Sequence, residues 1–193
     1  MDMRLTTALT VTANLIFWPA LFGFAALRPG YSHVTNAVSE LGSFDAPRMW
    51  AWNIIGFIIP GILLTISGWR IGRSVEADHF VMTTLLAFSG AMLVLTGLAP
   101  ADLSQRHGIA TTIHLVGSNG SLVAWVLALV FLAVRIRGTR RATAIVALIV
   151  LVCLAGILVL ADRNTLGLTQ RLMFAAFFFS FPALALAAPR RHA

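Results

Sequence analysis

Side chains that could do chemistry occur in a few short segments of an otherwise apolar chain. The first segment, YSHVTNAVSELGSFDAPRMW at residues 31–50, contains Ser39 and Glu40. Later segments contain the remaining candidates, which are Asp102, His107, His114, Ser118 and Arg171. A pocket built from these residues would combine carboxylate, imidazole, hydroxyl and guanidinium groups.

Several reaction types are compatible with this set of residues. Glu40 or Asp102 with His114 could form an acid–base pair. Asp102, His107 and His114 could bind a divalent metal such as zinc, which in catalytic sites takes His or carboxylate ligands and keeps one position open. Their spacing matches no zinc signature such as HExxH. Ser39 with His114 could act as nucleophile and base in acyl transfer, which requires the two side chains within reach of each other.

The segment around His114 has helical spacing. Its polar residues recur at intervals of three and four and so share one helix face: Thr111, His114, Ser118 and Ser121. A histidine inside a membrane helix is costly unless it faces the bundle interior, a partner or water. This polar face has two interpretations. It could form a proton relay or a ligand site, or it could make hydrogen bonds between helices that pack closely at Gly117 and Gly120.

Arg171 lies about one turn into the last apolar run. A guanidinium at that depth must extend towards the interface or pair with an acceptor. Glu40 and Asp102 are the candidate carboxylate partners. If it is not paired, Arg171 could instead bind an anionic headgroup.

The apolar composition of the chain indicates that membrane-spanning helices position these residues. Hydrophobic residues make up 59% of the chain and charged residues only 11%, whereas a soluble domain carries about a quarter charged residues. Six apolar runs of about 20 residues each predict membrane-spanning helices. They cover residues 7–27, 50–69, 80–99, 111–134, 142–161 and 168–188. The predicted fold is an all-α polytopic bundle in one domain, residues 1–193.

The arginines predict the orientation of the bundle. The chain carries 14 basic residues, all arginine. Nine lie in the terminal segments and even-numbered loops, and five lie in or beside the odd-numbered loops. The positive-inside rule then places both termini in the cytoplasm and the candidate site residues at the outer face. Arginines that flank apolar runs do not indicate nucleic-acid binding, and the lone Cys153 excludes an intrachain disulfide.

The first outer loop predicts a short amphipathic helix. Val34, Ala37, Val38 and Leu41 have the spacing of one helix face, with Ser39 and Glu40 off that face. Gly42 is a suitable place for the helix to end.

The ordered motifs AVSELG at 37–42, AP at 46–47 and GLTQR at 167–171 resemble a bacterial and archaeal membrane family, domain of unknown function 998. The SELG stretch also has a weaker likeness to DRAM and Frag-type six-span proteins, which are linked to membranes and lipid handling. The arrangement of Ser, Asp and His is similar to that in alkaline-ceramidase-type hydrolases, but the chain lacks their paired HxxxH near the C-terminus.

The expected function is that of a bacterial or archaeal inner-membrane protein with an outward-facing polar pocket. This pocket would bind or act on a lipid or small amphiphile. A membrane-embedded hydrolase, using a metal or a Glu/Asp–His pair, is one alternative. A small proton-coupled transporter is another, although no internal repeat of the kind common in transporters is evident.

Overall fold

The computed structural model describes residues 2–74, 79–105, 107–135, 147–152, 154–155 and 162–188. Within these ranges all regular structure is helical. The long helices are α1 (Met3–Ala26), α2 (Met49–Ser74), α3 (His79–Leu98), α4 (Ile109–Arg135) and α5 (Leu166–Ala187). Each is long and apolar enough to cross a membrane.

These helices correspond to the predicted first, second, third, fourth and sixth spans. Their bounds differ from the predicted ones by a few residues, because helices continue through polar ends such as Arg70 to Ser74 that the hydropathy pattern does not include. Most of the predicted fifth span, residues 142–161, lies outside the described residues. Its described parts, 147–152 and 154–155, are helical, so the count of six spans stays a prediction.

Small residues bring α2, α3 and α4 close together. A Cβ added at Gly68 would meet the backbone of Leu86, and one added at Gly117 would lie 2.7 Å from the backbone nitrogen of Thr96. Without a hydrophobic driving force in lipid, such close backbone approach is a main source of helix association. The predicted close packing at Gly117 is therefore confirmed.

Aromatic residues fill the space between α1, α2 and α5. The rings of Phe17 and Phe178 stack with centroids 4.2 Å apart, and Trp52 is fully buried nearby. Asn14 on α1 donates from Nδ2 to the carbonyl of Phe178 at 3.0 Å. This bond ties α1 to α5 inside the apolar core.

A π-helical segment, Asn53–Ile58, interrupts α2. Pro60 follows it and has no N–H to donate to the carbonyl of Gly56, which favours a local change in hydrogen-bond pattern. Within the segment, Asn53 donates from Nδ2 to the carbonyl of Gly42 at 2.8 Å. The first loop is thereby attached to α2.

The first loop differs from the predicted amphipathic helix. Residues 33–36 form turns, and only Val38–Gly42 is helical, as a single 3-10 segment. Of the residues on the predicted apolar face, Val38 and Leu41 are buried, but Val34 is 47% exposed. The reason is local: the Asn36 side chain accepts from the backbone N–H of Ser32 at 2.9 Å, and such bonds compete with helix formation. The helix ends at Gly42 as predicted.

Candidate functional site

A cavity of about 290 Å³ lies between α3, α4, α5 and the π-helical segment of α2. Its described polar lining residues include Ser39, His114, Ser118, Asn119, Ser121 and Gln170. Apolar side chains form the rest, among them Phe57, Met173 and Phe174. Of the predicted site residues, the cavity thus brings together Ser39, His114 and Ser118.

His114 is held in one orientation by the end of α3. Its side chain is 4% exposed, and Nδ1 lies 3.1 Å from the carbonyl oxygen of Thr96 and 3.0 Å from that of Ala99. Carbonyl oxygens only accept hydrogen bonds, so Nδ1 must carry the proton. The last carbonyls of a helix have no intrahelical partner, and His114 satisfies them here. In the neutral ring, Nε2 is left as an acceptor, and no described residue donates to it.

The predicted stripe on α4 faces the interior. His114, Ser118 and Ser121 line the cavity. Thr111 instead exchanges hydrogen bonds with the backbone of Asp102, accepting at 3.0 Å and donating at 3.1 Å. The Phe57 ring packs edge-on against His114 with centroids 6.3 Å apart, so the π-helical segment of α2 supports the imidazole.

Arg171 has neutral partners in place of the expected carboxylates. Its Nε donates to Nδ1 of His33 at 2.9 Å and its Nη2 to the hydroxyl of Tyr31 at 2.7 Å. Its Nη1 donates to the carbonyls of Asn36 at 3.2 Å and Gly167 at 2.7 Å. Arg171 as a whole residue is only 8% exposed. In the described residues it forms no ion pair with Glu40 or Asp102, because four uncharged acceptors already occupy it.

Burial and the nearby Arg171 charge shift the pKa values of two loop residues. His33 accepts through Nδ1, which requires the neutral ring, and burial together with the adjacent Arg171 charge lowers the pKa of His33. Burial raises the pKa of Tyr31, although Arg171 opposes that shift. The Tyr31 hydroxyl donates onward to the carbonyl of Ala37 at 3.0 Å.

Glycine at position 167 allows the first loop to pack against the start of α5. A Cβ added at Gly167 would collide with the carbonyl of Asn36 and would lie 2.9 Å from that of His33. Glycine therefore lets the first loop reach the start of α5. The neighbouring Gln170 accepts from the backbone N–H of Val38 at 2.8 Å.

The two candidate carboxylates are engaged locally. Glu40 accepts from Nδ2 of Asn36 and from the backbone N–H of Ala37, both at 2.8 Å. Asp102 accepts from the hydroxyl of Ser104 at 2.6 Å. This bond is the main reason that the pKa of Asp102 is lowered. Neither carboxylate is hydrogen-bonded to His114, so no acid–base pair is formed in the described structure.

The candidate metal ligands are also not assembled. His107 is exposed in the loop before α4, while His114 is buried with its Nδ1 occupied. Among the described residues, no group of three His, Cys, Asp or Glu side chains is placed to hold a metal ion. Asp102, His107 and His114 therefore share a region of the chain but no common coordination point.

An ion pair fixes the other side of the first loop. Arg28, just after α1, donates from Nη2 to Oδ2 of Asp45 at 2.7 Å. Its Nη1 also contacts the carbonyl of Glu40. A hydrogen bond from Ser43, with Arg28 adding to the effect, lowers the pKa of Asp45.

Sequence comparison places these features in a family. A family model described as "Protein of unknown function (DUF998)" matches residues 11–187. The chain belongs to the DUF998 family. The resemblance carried by AVSELG and GLTQR is therefore confirmed. No curated protein and no solved structure matches this DUF998 chain.

Sequence reasoning missed several residues at the candidate site of this DUF998 protein. Tyr31 and His33, the partners of Arg171, and Gln170, which lines the cavity, were not among the candidates. A signal was present for Gln170, because it lies in the GLTQR motif directly before Arg171.

Proposed function

We propose that this protein binds a single amphiphile, a lipid or a small lipid-like molecule, in the cavity between α4 and α5. The supporting observation is the composition of its wall. Apolar rings and aliphatic chains such as Phe174 and Met173 stand beside hydrogen-bonding groups such as His114 and Ser118. Its volume, about 290 Å³, is close to the lower end of the range for ligand pockets.

The position of the cavity supports the same proposal. Two of its lining residues, Leu115 and Leu166, are 48% and 45% exposed. They lie on α4 and at the start of α5, while His114 is deeply buried. An acyl chain would therefore enter beside apolar residues and carry its polar end towards the imidazole. In a bilayer, such an opening faces the lipid from which an amphiphile comes.

Photolabelling in the membrane tests the proposal. Photoactivatable, clickable hexadecyl probes are supplied as free alcohol and as free acid, and labelled peptides are mapped by mass spectrometry. Ser118→Trp would fill the cavity, and Val116→Trp is the matched control, since Val116 is 56% exposed and outside the lining.

We expect at least one probe to label peptides from α4 and α5 at lining positions, and Ser118→Trp to abolish this labelling. Val116→Trp should retain it. Equal labelling of both variants, or labelling spread evenly over lipid-facing residues, would overturn the proposal.

A lipid hydrolase is the second candidate. It is favoured by one observation: Ser39 and His114 line the same cavity, and the neutral His114 tautomer offers Nε2 as a base. No hydrogen bond joins the two side chains in the described structure. Release of nitrophenol from 4-nitrophenyl dodecanoate, lost in Ser39→Ala, would support this activity. Release no faster than from a detergent blank would exclude it for this ester.

A further inference from the structure

The described wall of the cavity contains hydrogen-bonding groups but no charged side chain. Its polar members are serine, threonine, asparagine, glutamine and the histidine whose Nδ1 is occupied. The nearby guanidinium of Arg171 is directed into the first loop, where His33 and Tyr31 accept its hydrogen bonds. Arg28 is paired with Asp45. No described cation therefore remains at the cavity to balance an anionic headgroup.

Nε2 of His114 sets a second requirement. The Nδ1–H group is directed at two carbonyls, that of Thr96 in the last turn of α3 and that of Ala99 just after the helix. The other nitrogen of the neutral ring, Nε2, can therefore only accept a hydrogen bond. A ligand group that binds there must donate a hydrogen bond. A ligand that offered only an acceptor would need either the imidazolium cation, whose charge would be buried without a counter-charge, or the other neutral tautomer. That tautomer would leave the carbonyls of Thr96 and Ala99 without their donor, and unpaired buried polar groups are costly.

We propose that the ligand is an uncharged amphiphile that donates a hydrogen bond, from a hydroxyl or an amide N–H, to Nε2 of His114. This inference rests on the proposed function and names the ligand class for the same site. Anionic and cationic amphiphiles are disfavoured because a charge moved from water to a site without a counter-charge loses its solvation. Ethers and esters without a donor are disfavoured by the fixed tautomer.

Competition against the photoactivatable alcohol tests the ligand class. The unlabelled competitors share one chain length: 1-hexadecanol donates a hydrogen bond, methyl hexadecyl ether only accepts, hexadecanesulfonate is permanently anionic and hexadecyltrimethylammonium is permanently cationic. In the full-length protein, we expect the alcohol to compete at a concentration about tenfold lower than the ether, as expected for loss of one buried hydrogen bond. The two charged competitors should also be at least about tenfold weaker than the alcohol, because their charge would lose its solvation in the cavity.

Two substitutions at one position separate the roles of the ring nitrogens. In His114→Asn the side-chain amide can replace Nδ1–H towards the carbonyls but offers nothing at the position of Nε2. In His114→Gln the longer side chain can place its amide oxygen near that position. We expect His114→Asn to lose the preference for alcohol over ether and His114→Gln to retain part of it. Thr112→Ala, at an exposed position of α4 outside the lining, is the control.

The outcomes distinguish the inference from the proposed function. If neither probe labels the cavity of the wild-type protein, binding itself is refuted. If all four competitors are equally effective, binding stands and the neutral-donor inference is wrong. The inference also fails if hexadecanesulfonate competes best, or if His114→Asn discriminates between alcohol and ether as the wild type does.

Discussion

Replacing Arg171 by methionine should destabilise the protein by removing the link between α5 and the first loop. The guanidinium donates to His33, Tyr31, Asn36 and Gly167. Hydrogen bonds from a charged donor contribute about 1.5–3 kcal/mol each. Water can replace the bonds at the half-buried His33 and Tyr31. Counting only the two backbone carbonyls at the lower value gives a loss of about 3 kcal/mol.

For a chain of this length, a loss of about 3 kcal/mol corresponds to a fall in melting temperature of about 6–12 °C. The assay is loss of the monodisperse peak of a fluorescent fusion on size exclusion after heating in detergent. Arg48→Met is the matched control, since Arg48 is exposed and no described residue is hydrogen-bonded to its side chain. Arg171→Lys should also melt well below wild type, because an ammonium cannot reproduce the planar fork of donors.

Two results would refute this reasoning. If Arg171→Met melts at the same temperature as Arg48→Met, the buried network does not contribute to stability. If Arg171→Lys melts like the wild type, the positive charge alone accounts for the stabilisation, and the four hydrogen bonds of the guanidinium are not required.

Further predictions concern pH, helix packing and topology. Stability should fall as the pH is lowered from about 8 to about 5, because the unfolded chain protonates His33 near its ordinary pKa while burial and Arg171 lower that pKa in the fold. His33→Gln, which keeps an acceptor but does not titrate, should flatten the melting-temperature profile, and an unchanged profile would contradict this origin. Gly117→Ala should lower the melting temperature, since its Cβ would lie 2.7 Å from the Thr96 nitrogen, whereas Gly23→Ala has open space and should not. A reporter active only in the periplasm should be silent when fused after Ala193, and activity there would reverse the proposed orientation.

Hydropathy was sufficient to locate the five long apolar helices that the structure describes, because an apolar segment of about 20 residues can satisfy its own backbone groups in lipid only as a helix. The interior orientation of His114 was also predictable, since the cost of a histidine in lipid and the spacing of Ser118 and Ser121 require the same face. Both inferences depend only on residues close in sequence. They therefore do not require knowledge of how the helices pack.

The partners of Arg171 could not be found in this way. Charge suggested Glu40 or Asp102, but each carboxylate is satisfied within a few residues of its own position. His33 and Tyr31 lie far from Arg171 in sequence, and their proximity depends on the absent side chain of Gly167. Glu40 and Asp102 were not available to Arg171 because nearby residues already donate to them. A prediction that pairs opposite charges does not take these local hydrogen bonds into account.

Hydrogen bonds from two guanidinium groups determine the role of the first loop. Arg171 holds its first half through Tyr31, His33 and Asn36, and Arg28 holds its second half through the Glu40 carbonyl and Asp45. Between these attachments, the Val38–Gly42 segment buries Val38 and Leu41 and contributes Ser39 to the cavity. Opening the loop as a lid would break bonds to two guanidinium groups at once. The loop is therefore better described as a fixed wall, and access to the cavity is easier from the side, where exposed Leu115 and Leu166 border it between α4 and α5.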